Sequence, residues 1–585
     1  MPTLHWIGKD KVINHHLDVP FKVLEHSYGF DNGKQSAQET QSGNKIIHGD
    51  NLEALKALLP EYERKIKCIY IDPPYNTGNE GWIYNDNVTD PKIKKWLGEV
   101  VGKEFEDLTR HDKWLCMIYP RLKLLQKLLS EDGSLVISIG YQEVFNLIQI
   151  CKELFASKQI VCVTIQTSGG KPAGGFNYQH EYLIFIVPND FEPNALMYSG
   201  GKERTPFEGL TLATFDKVQR PNQTYPIFVN ESDGSFAGTG ESLQERIKNG
   251  TYTGKLEDFQ YNFEEAPHGT VAIWPITSKG KDCVWRLIKT RLSNDWEKGY
   301  IKISPNRSKN STNQYSIQYL PEGVIKKIEQ GVLEVNGKEI NVPTLSFGEN
   351  KTVGSEIPTI WIEKSFYTVK GTSLLNEIFD KKPFNYPKPL ELITEILRAL
   401  SSENDIILDS FSGSGSTAHA VLNLNREDEG NRKFILIEME EYAETITAER
   451  VKRVINGYAD KEGTLGSFDY YELGQSIFLE DGNLNENVGI EKIRNYVYYT
   501  ETKQHLNQEN KTNDNVYFLD KYNDTSYYLN YEQDEITTLD HDFLATMKTK
   551  AEQYIIYADN CLLKKDFMTN RNIIFKKIPR DITRF

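Results

Sequence analysis

Three features are missing from this 585-residue sequence: a long apolar run, an apolar N-terminus and cysteines with paired spacing. No run approaches the ~20 apolar residues of a membrane-spanning helix, and Tyr182–Val187 is typical of the longest runs. Met1–Asp18 carries charges and histidines where a signal segment would be apolar. The six cysteines are scattered, which argues against a zinc site or a disulfide framework. We therefore expect a soluble, cytoplasmic protein with no membrane partner.

The charges are unevenly distributed along the chain. The net charge of −15 disfavours a nucleic-acid partner when the chain is taken as a whole. Residues 271–330, however, carry eleven Lys and Arg against five acids, whereas residues 458–585 carry 22 acids against 15 bases. A local basic excess is compatible with DNA binding by one segment only, although charge runs are more often solvated faces.

Strand-like and helix-like patterns alternate through the first 190 residues. The predicted strands are Ile66–Ile71, Ser134–Ile139, Ile160–Ile165 and Tyr182–Val187, and the predicted helices are Trp114–Leu129 and Phe145–Phe155. This alternation predicts an α/β fold with a largely parallel sheet. From about 190 to 375 the pattern changes to short β-like pieces rich in Gly, Pro and Asn, which predicts an inserted region. The last segment, 476–585, is predicted to have a helix over Asp540–Tyr554 and a strand near Ile573–Phe575.

One predicted strand ends abruptly in Asp72-Pro73-Pro74-Tyr75. The prolines cannot continue a central strand, so this motif predicts a stiff loop beyond the carboxyl end of the strand, where open α/β sheets bind ligands. The Asp72 carboxylate and the Pro73 carbonyl could accept hydrogen bonds from both N–H groups of the exocyclic amino group of adenine or cytosine. The Tyr75 ring could stack on the base, which is typically worth ~1–3 kcal/mol. The alternative is a plain proline turn after a strand.

A second strand–turn–helix pattern lies in Asp405–Thr417, where Gly413 and Gly415 allow the backbone to approach a ligand closely. It lacks the Gly-Lys-Ser/Thr ending of a phosphate loop, and the third glycine of a dinucleotide fingerprint is missing. The next predicted strand, Lys433–Ile437, ends in Glu438, an acid placed to bind ribose hydroxyls. These features fit a nucleoside with a small charged tail, such as S-adenosylmethionine.

Two further sites also have purely structural explanations. Asp50 stands at a strand–turn–helix junction, where it could contact a nucleoside or simply cap the helix. Trp82 and Tyr84 follow the proline loop, where they could cover a substrate or belong to a small core.

The paired motifs Asp72–Tyr75 and Phe411–Gly415 resemble those of DNA amino-methyltransferases. Their order, catalytic loop first and cofactor loop last, is similar to the permuted β group of that family. Residues 44–190 and 380–475 resemble the modification subunits of type III restriction-modification systems, and further motifs carry this likeness: His48-Gly49-Asp50, Asn76-Thr77-Gly78, Tyr119–Leu122, Tyr386–Pro389 and Arg432–Leu436. Ser416 replaces a more usual threonine, and Gly140-Tyr141-Gln142 stands where relatives tend to carry an Asp-Asp/Asn-Glu sequence.

The resemblance implies a role for each matching residue. Asp72, Pro73, Pro74 and Tyr75 would form the catalytic loop, and an Asp at its first position favours adenine N6 over cytosine N4. S-adenosylmethionine would bind through a larger set, with Asp50 at its adenine, Glu438 at its ribose and Lys388 with Pro389 at its methionine: Asp50, Lys388, Pro389, Phe411, Gly413, Ser414, Gly415, Thr417 and Glu438. Neither a metal nor a covalent enzyme intermediate is expected.

The resemblance also implies a domain plan of a Rossmann-like, permuted methyltransferase core with an insert and a small C-terminal α+β domain. An N-terminal extension (1–43) precedes the catalytic half (44–190), and a target-recognition domain (191–375) precedes the cofactor half (376–475) and the C-terminal domain (476–585). Candidate DNA contacts in the insert are Lys279, Lys281, Arg286, Arg291, Arg307 and Lys309.

The partners that the resemblance implies are double-stranded DNA and a second copy of the chain. Whether a helicase-nuclease restriction subunit accompanies it stays open. Cytosine-N4 methylation, a more distant RNA or protein amino group as the methyl acceptor, and a non-catalytic DNA-specificity subunit remain alternatives.

Overall fold

The computed structural model describes the following residues: 3–77, 107–169, 176–194, 196, 206–277, 280–306, 312–329, 335, 337–338, 344–346, 356–506 and 514–580. Several residues singled out in the sequence lie outside these ranges, namely Trp82, Tyr84, Lys279, Arg307 and Lys309. The chain divides into two compact units, one of residues 1–200 with 356–585 and one of residues 201–355. Within the described residues, no helix is both long enough and apolar enough to span a membrane.

The larger unit is organised around one mixed sheet. Its first seven strands are β1 (Lys22–Asp31), β2 (Lys34–Ser36), β3 (Lys45–His48), β4 (Ile66–Ile71), β5 (Leu129–Ile139), β6 (Gln159–Gln166) and β7 (His180–Val187). The smaller unit holds β8 (Glu208–Gly209), β9 (Thr211–Leu212), β10 (Ile227–Asn230), β11 (Phe236–Thr239), β12 (Thr270–Ile273), β13 (Val284–Trp285), β14 (Ile301–Pro305), β15 (Tyr315–Tyr319), β16 (Gly337–Lys338) and β17 (Leu345–Ser346). The chain then returns to the sheet with β18 (Ile360–Trp361), β19 (Ile406–Asp409), β20 (Lys433–Glu438), the hairpin β21 (Gly457–Tyr458) and β22 (Lys461–Glu462), and β23 (Ser467–Ser476).

Eleven described strands make up this sheet, in the order β18-β6-β7-β5-β4-β19-β20-β3-β23-β1-β2. The central run from β5 through β4, β19, β20 and β3 to β23 is parallel. β7 is antiparallel to both of its neighbours, and β1 is antiparallel to β23. The predicted α/β class with a largely parallel sheet is therefore confirmed, and β1 shows that part of the predicted N-terminal extension is a strand of this sheet.

Alternating side chains of β4 explain why the sheet is covered on both faces. Ile69 and Ile71 point into one hydrophobic cluster, and Cys68 and Tyr70 point into another. The first cluster packs under the helices Asn51–Tyr62, Asp107–Leu128 and Val144–Leu154. The second packs under Leu390–Leu400, Ser416–Asp428 and Glu449–Asn456. Central strands buried on both sides read as continuous apolar runs, which is why β4 was recognisable in the sequence.

Other described helices of the larger unit are short or peripheral. They are Lys9–Val12, His15–Asp18, Thr368–Phe379, Ile490–Thr502, His541–Thr546 and Lys565–Asn570, with a π-helical turn at Ala443–Ala448 and 3₁₀ turns at Lys364–Phe366 and Glu486–Val488. The smaller unit has its own core around Tyr225, Ile227 and Trp285. Its helices are Leu243–Lys248, Lys289–Lys298 and Glu322–Glu329, with 3₁₀ turns at Pro221–Gln223 and Leu256–Asp258.

The C-terminal segment combines helices with a small mixed sheet. Its strands are β24 (Phe518–Tyr522), β25 (Thr525–Leu529), β26 (Thr538–Leu539), β27 (Gln553–Ala558), β28 (Asn560–Cys561) and β29 (Ile573–Lys577), of which β24, β25, β27 and β29 share one sheet. The helix predicted over Asp540–Tyr554 is wrong beyond its first turns, because it ends at Thr546 and β27 begins at Gln553. The β-branched and aromatic residues Tyr554, Ile555 and Ile556 favour a strand between β25 and β29.

Candidate active site

The two motif loops leave the same edge of the sheet from neighbouring strands. β4 and β19 run parallel, with Ile69 opposite Leu408. Asp72 follows the last residue of β4, and Asp409 is the last residue of β19. Because parallel strands end at a common edge, the proline loop and the glycine turn lie at the same edge of the sheet. More than three hundred residues of sequence separate the two loops, and the sheet order brings them together.

Four side chains meet at the proline loop. The Lys388 ammonium lies 3.3 Å from Oδ1 of Asp72 and 2.8 Å from Oε2 of Glu181. The Tyr75 hydroxyl donates to the same Glu181 oxygen at 2.9 Å. Lys388 Nζ also lies 4.6 Å from the centroid of the Tyr75 ring, within range of a cation–π contact. One cation is thus shared by two carboxylates and an aromatic face.

Burial and charge act against each other on this cluster. Burial raises the pKa of Asp72, and the Lys388 ammonium only partly offsets that effect. Burial also opposes ionisation of Glu181, but Lys388 outweighs it and the pKa of Glu181 is lowered. Although burial alone would lower the pKa of Lys388, the two carboxylates raise it above its ordinary value. Lys388 therefore stays charged, and Asp72 is the carboxylate of the pair that protonates more easily.

Neighbouring side chains hold the proline loop from behind. Trp114 donates its indole N–H to the Pro74 carbonyl at 2.7 Å. Asn76 has a φ of 59°, in the left-handed region that Asn tolerates better than most residues. Its amide donates to the fully buried Glu143, which also pairs with His111 Nδ1 at 2.5 Å. The loop is thereby fixed at its third and fifth residues, and its Asp and Tyr side chains project from a rigid base.

The backbone conformation of the second loop requires glycine at two positions. Gly413 and Gly415 have φ values of 50° and 77°, and a Cβ on Gly415 would lie 3.2 Å from the Thr447 carbonyl oxygen. Asp409 accepts hydrogen bonds from the Phe411 N–H at 3.0 Å and the Thr417 hydroxyl at 2.5 Å. Burial raises the pKa of Asp409 to about 7. Asp409 thus ties the end of its strand to both sides of the turn.

Glu438 reaches the turn from the next strand. Its Oε2 accepts from the Gly413 N–H at 2.7 Å, and its Oε1 accepts from the N–H groups of Met439 and Glu440 at 3.0 and 3.1 Å. The side chain is 2% exposed, and burial raises its pKa to about 7. Glu438 was predicted as a ribose contact, and in the structure it stands beside the backbone of the turn where such a contact would be made.

Several buried polar atoms around the turn have capacity left for a ligand. Among the described residues, Ser410 Oγ, Asp50 Oδ2 and Glu440 Oε1 are buried without a hydrogen-bond partner. Asp50 uses its other oxygen as the cap of the helix Asn51–Tyr62, accepting from the Leu52 N–H at 2.9 Å. The capping explanation therefore holds, and the second oxygen, Oδ2, lies 3.5 Å from a guanidinium nitrogen of the buried Arg121. Buried polar groups normally find partners, so this edge has the chemistry of a binding site for a polar ligand.

Arg450 supports the turn and was not predicted from the sequence. Its guanidinium is 1% exposed and donates to the Ser414 carbonyl at 3.3 Å, the Ser414 hydroxyl at 3.1 Å and the Ser416 hydroxyl at 2.8 Å. Burial lowers the pKa of Arg450 to about 10. Glu181, Trp114 and Glu143 were missed as well, since each is an ordinary residue type whose partners are distant in sequence.

The remaining predicted site residues fall into two groups. The Ser414 hydroxyl accepts from Arg450 and the Thr417 hydroxyl donates to Asp409, whereas Pro389 caps the helix Leu390–Leu400, so Lys388 and Pro389 lie at a helix start. The described DNA candidates, Lys281, Arg286 and Arg291, belong to the smaller unit. All three are exposed, and Arg291 already donates to Asp295 at 2.9 Å. Lys281 and Arg286 are thus the better candidates for phosphate contacts.

Comparison with known proteins gives a family and several relatives. The model of a DNA methylase family, which covers both N6 and N4 enzymes, matches residues 66–449. The EcoPI Mod subunit of Escherichia phage P1 and the EcoP15I Mod subunit of Escherichia coli, both of type III restriction-modification enzymes, are 27% and 28% identical over 471 residues. The type II methyltransferase M.KpnI of Klebsiella pneumoniae is 27% identical over 433 residues. These relatives confirm the resemblance to modification subunits.

The matches cover most of this chain but less of the Mod subunits. The alignments with the two Mod subunits include 75% of this chain and 64% of each relative. The alignment with M.KpnI includes 71% of this chain and 85% of the relative.

Proposed function

This chain belongs to the DNA methylase family whose model matches residues 66–449, and we propose that it transfers a methyl group from S-adenosylmethionine to adenine N6 in duplex DNA. The observation that carries the proposal is the placement of Asp72 and Tyr75 beside the Gly413–Gly415 turn, at the ends of adjacent parallel strands. Lys388 links the two loops, because its carbonyl accepts from the Ser416 hydroxyl at 3.3 Å while its ammonium reaches Asp72.

The residues at the glycine turn fit the methyl donor. Glu438, whose carboxylate lies against the backbone of the turn, would accept from the ribose hydroxyls, and Asp50 would take the adenine end. The glycines with positive φ allow the protein backbone to approach the ligand closely. Bound there, S-adenosylmethionine supplies an activated methyl group on a sulfonium, so the protein need only place its acceptor. Correct placement alone can contribute ~7–11 kcal/mol to lowering a barrier.

The proline loop would hold the target amino group. The Asp72 carboxylate and the Pro73 carbonyl accept hydrogen bonds from the two N–H groups of the target amino group. This arrangement frees the nitrogen lone pair from conjugation with the ring. Tyr75 presents its ring to the base, and Trp114 fixes the loop by bonding the neighbouring Pro74 carbonyl. Because the amino group is inaccessible within the duplex, the base has to be extruded, at a cost of a few kcal/mol.

Adenine N6 is the proposed target, with cytosine N4 as the alternative. The support for adenine is the Asp at the first position of the loop, which in the β group that this chain resembles accompanies adenine methylation. Nucleoside analysis of DNA modified by the purified protein separates the two, since N6-methyladenine and N4-methylcytosine differ in mass and retention.

The proposed setting is a type III-like restriction-modification system in the cytoplasm. The relatives named as Mod subunits support this setting. Double-stranded DNA is the proposed substrate, a homodimer the proposed assembly, and a helicase-nuclease restriction subunit the proposed partner. Residues 191–375 are proposed to read the target sequence, with phosphate contacts from Lys281 and Arg286, which lie in the compact unit 201–355.

The test is methyl transfer from labelled S-adenosylmethionine to plasmid DNA by the purified chain. We expect Asp72→Ala to abolish N6-methyladenine while cofactor affinity, measured by calorimetry, stays within a few-fold of the original. Asp10→Ala, which removes a carboxylate with 77% of its side chain exposed, serves as the matched control and should methylate normally. Undiminished methylation by Asp72→Ala would overturn the assignment.

A further inference from the structure

Two exposed tyrosines stack on each other beside the proline loop. The ring centroids of Tyr141 and Tyr178 are 4.1 Å apart and the rings are inclined by only 8°. Tyr141 is 43% exposed and Tyr178 is 55% exposed. Parallel stacking of two exposed rings is unlike the buried aromatic contacts of the core, which remove nearly all of each ring from water.

The stacked pair lies at the same sheet edge as the catalytic loop. Tyr141 comes two residues after the end of β5, and Tyr178 comes two residues before the start of the antiparallel β7. The two strands are neighbours, so their ends bring the rings together. β5 also neighbours β4, whose end carries the proline loop.

Direct contacts connect this edge to Tyr75. A Cβ added to Gly140 would lie 3.1 Å from Cδ2 of the Tyr75 ring, so the backbone next to Tyr141 passes close against that ring. On the other side, Glu181 of β7 accepts from the Tyr75 hydroxyl. Gly140 and Glu181 thus connect the stacked pair with the Tyr75 ring, which we assign to the extruded base.

We propose that Tyr141 and Tyr178 form a stacking platform for a second nucleobase, one that neighbours the extruded adenine. This inference rests on the proposed function. Every base has a flat π-face, and aromatic platforms bind unstacked bases without needing a particular sequence. Extrusion of one nucleotide breaks the stack on both of its sides, which provides unstacked faces at the mouth of the pocket.

The charge and surroundings of the platform favour a base over a phosphate. No lysine or arginine of the described residues has its cationic head group within cation–π range of either ring, whereas Tyr75 has Lys388 within that range. Phe176, two residues before Tyr178, is a further aromatic residue in this segment and is 92% exposed. Flat, uncharged rings at the rim of a pocket suit the apolar faces of a base and offer little to a phosphate.

The experiment uses full-length protein and duplexes that carry 2-aminopurine, a fluorescent adenine analogue, either at the target or at one flanking position. We expect Tyr141→Ala and Tyr178→Ala each to weaken duplex binding about 5- to 150-fold, the range that stacking of one base supplies. Tyr141→Phe and Tyr178→Phe should bind within about twofold of the original, since the ring remains. Tyr522→Ala, which removes a tyrosine 37% exposed on β24, is the matched control.

The fluorescence readout separates the platform from other roles. In the original protein, a flanking 2-aminopurine should be quenched by stacking, and the Ala variants should lose that quenching while cofactor binding is unchanged. Ala variants that bind and quench like the original would overturn the proposal. So would Ala variants that change only the oligomeric state, because the surface would then be a protein interface. Absence of methylation by the original protein would instead count against the proposed function.

Discussion

The ammonium of Lys388 lies 3.3 Å from the Asp72 carboxylate and 4.6 Å from the centroid of the Tyr75 ring. An N–H donor therefore lies against the carboxylate and the ring that we propose for the target amino group and its base. Glu181 holds this ammonium at 2.8 Å from its other side. In the proposed function, Lys388 and the target amino group would compete for the same Asp72 carboxylate, and Glu181 is a second partner for Lys388.

Replacing Lys388 should shift the pH dependence of methylation upward. The Asp72 carboxylate is a stronger N–H acceptor when ionised, so we expect activity to fall as pH falls through its pKa, which burial already raises. Lys388 lowers that pKa, and Lys388→Met removes this effect. We expect the acid limb of the kcat/KM profile to move to higher pH in Lys388→Met and to stay near its original place in Lys388→Arg. An acid limb that stays in place or moves to lower pH in Lys388→Met would contradict the proposed effect of Lys388 on the pKa of Asp72.

Substitutions of Tyr75 should separate its ring from its hydroxyl. Tyr75→Ala removes the stacking face, and we expect kcat/KM to fall about 5- to 150-fold, in line with ~1–3 kcal/mol for one stacked base. Tyr75→Trp keeps a face, and Tyr75→Phe loses only the hydroxyl that donates to Glu181. Both variants should lose less kcat/KM than Tyr75→Ala, as measured by steady-state methylation of one duplex. Equal losses for all three variants would rule out stacking.

Much of the fold could be predicted because the central strands carry strong local signals. β4 was predicted with its observed bounds, Ile66–Ile71, since a fully buried strand is apolar throughout. β1, Lys22–Asp31, was missed because its burial is irregular and charged residues interrupt it. Its place in the sheet depends on antiparallel pairing with β23, more than four hundred residues away, and single-sequence patterns carry no information on that pairing.

The site was predictable only where its residues are contiguous. Asp72–Tyr75 and Phe411–Gly415 are short runs with unusual backbone demands, so they stand out. Glu181 and Trp114 support the same site, but each belongs to an ordinary strand or helix pattern. Their functions arise from side-chain partners that only the folded chain brings within reach.

The buried carboxyl groups of Asp409 and Glu438 should make the ligand-free protein less stable as pH rises. Burial raises the pKa of each to about 7, so between about pH 4 and 7 the folded state holds protons that the unfolded state has released. Stability is then highest at the acid end of this window and falls as pH approaches 7. For one such carboxyl the change is at most ~4 kcal/mol.

Asp409→Asn provides the direct check, since it removes one titrating group and keeps an acceptor for the Phe411 N–H. We expect its midpoint of urea unfolding to depend less on pH between 5 and 8 than that of the original protein. Glu462→Gln, at a side chain 88% exposed, is the control and should leave the dependence unchanged. An equally steep dependence in Asp409→Asn would show that this carboxyl does not titrate as its burial implies.

Removal of the Arg450 guanidinium should weaken cofactor binding through the shape of the glycine turn. Arg450 donates to Ser414 and Ser416, whereas Glu438 accepts from the Gly413 N–H of the same turn. Leaving buried acceptors unpaired costs ~1–3 kcal/mol, so we expect Arg450→Met to raise the Kd for S-adenosylmethionine by roughly 5- to 150-fold.

Two comparisons make the Arg450 test decisive. Arg450→Lys keeps one donor and should recover part of the affinity, because a lysine can reach a single serine hydroxyl. Arg426→Met, at a half-exposed arginine on the helix Ser416–Asp428, removes the same group from the outer surface and should leave the Kd unchanged. Calorimetric titration at one pH, with unfolding midpoints measured alongside, compares the three variants. A folded Arg450→Met protein that binds the cofactor as tightly as the original would show that the turn keeps its binding shape without this arginine.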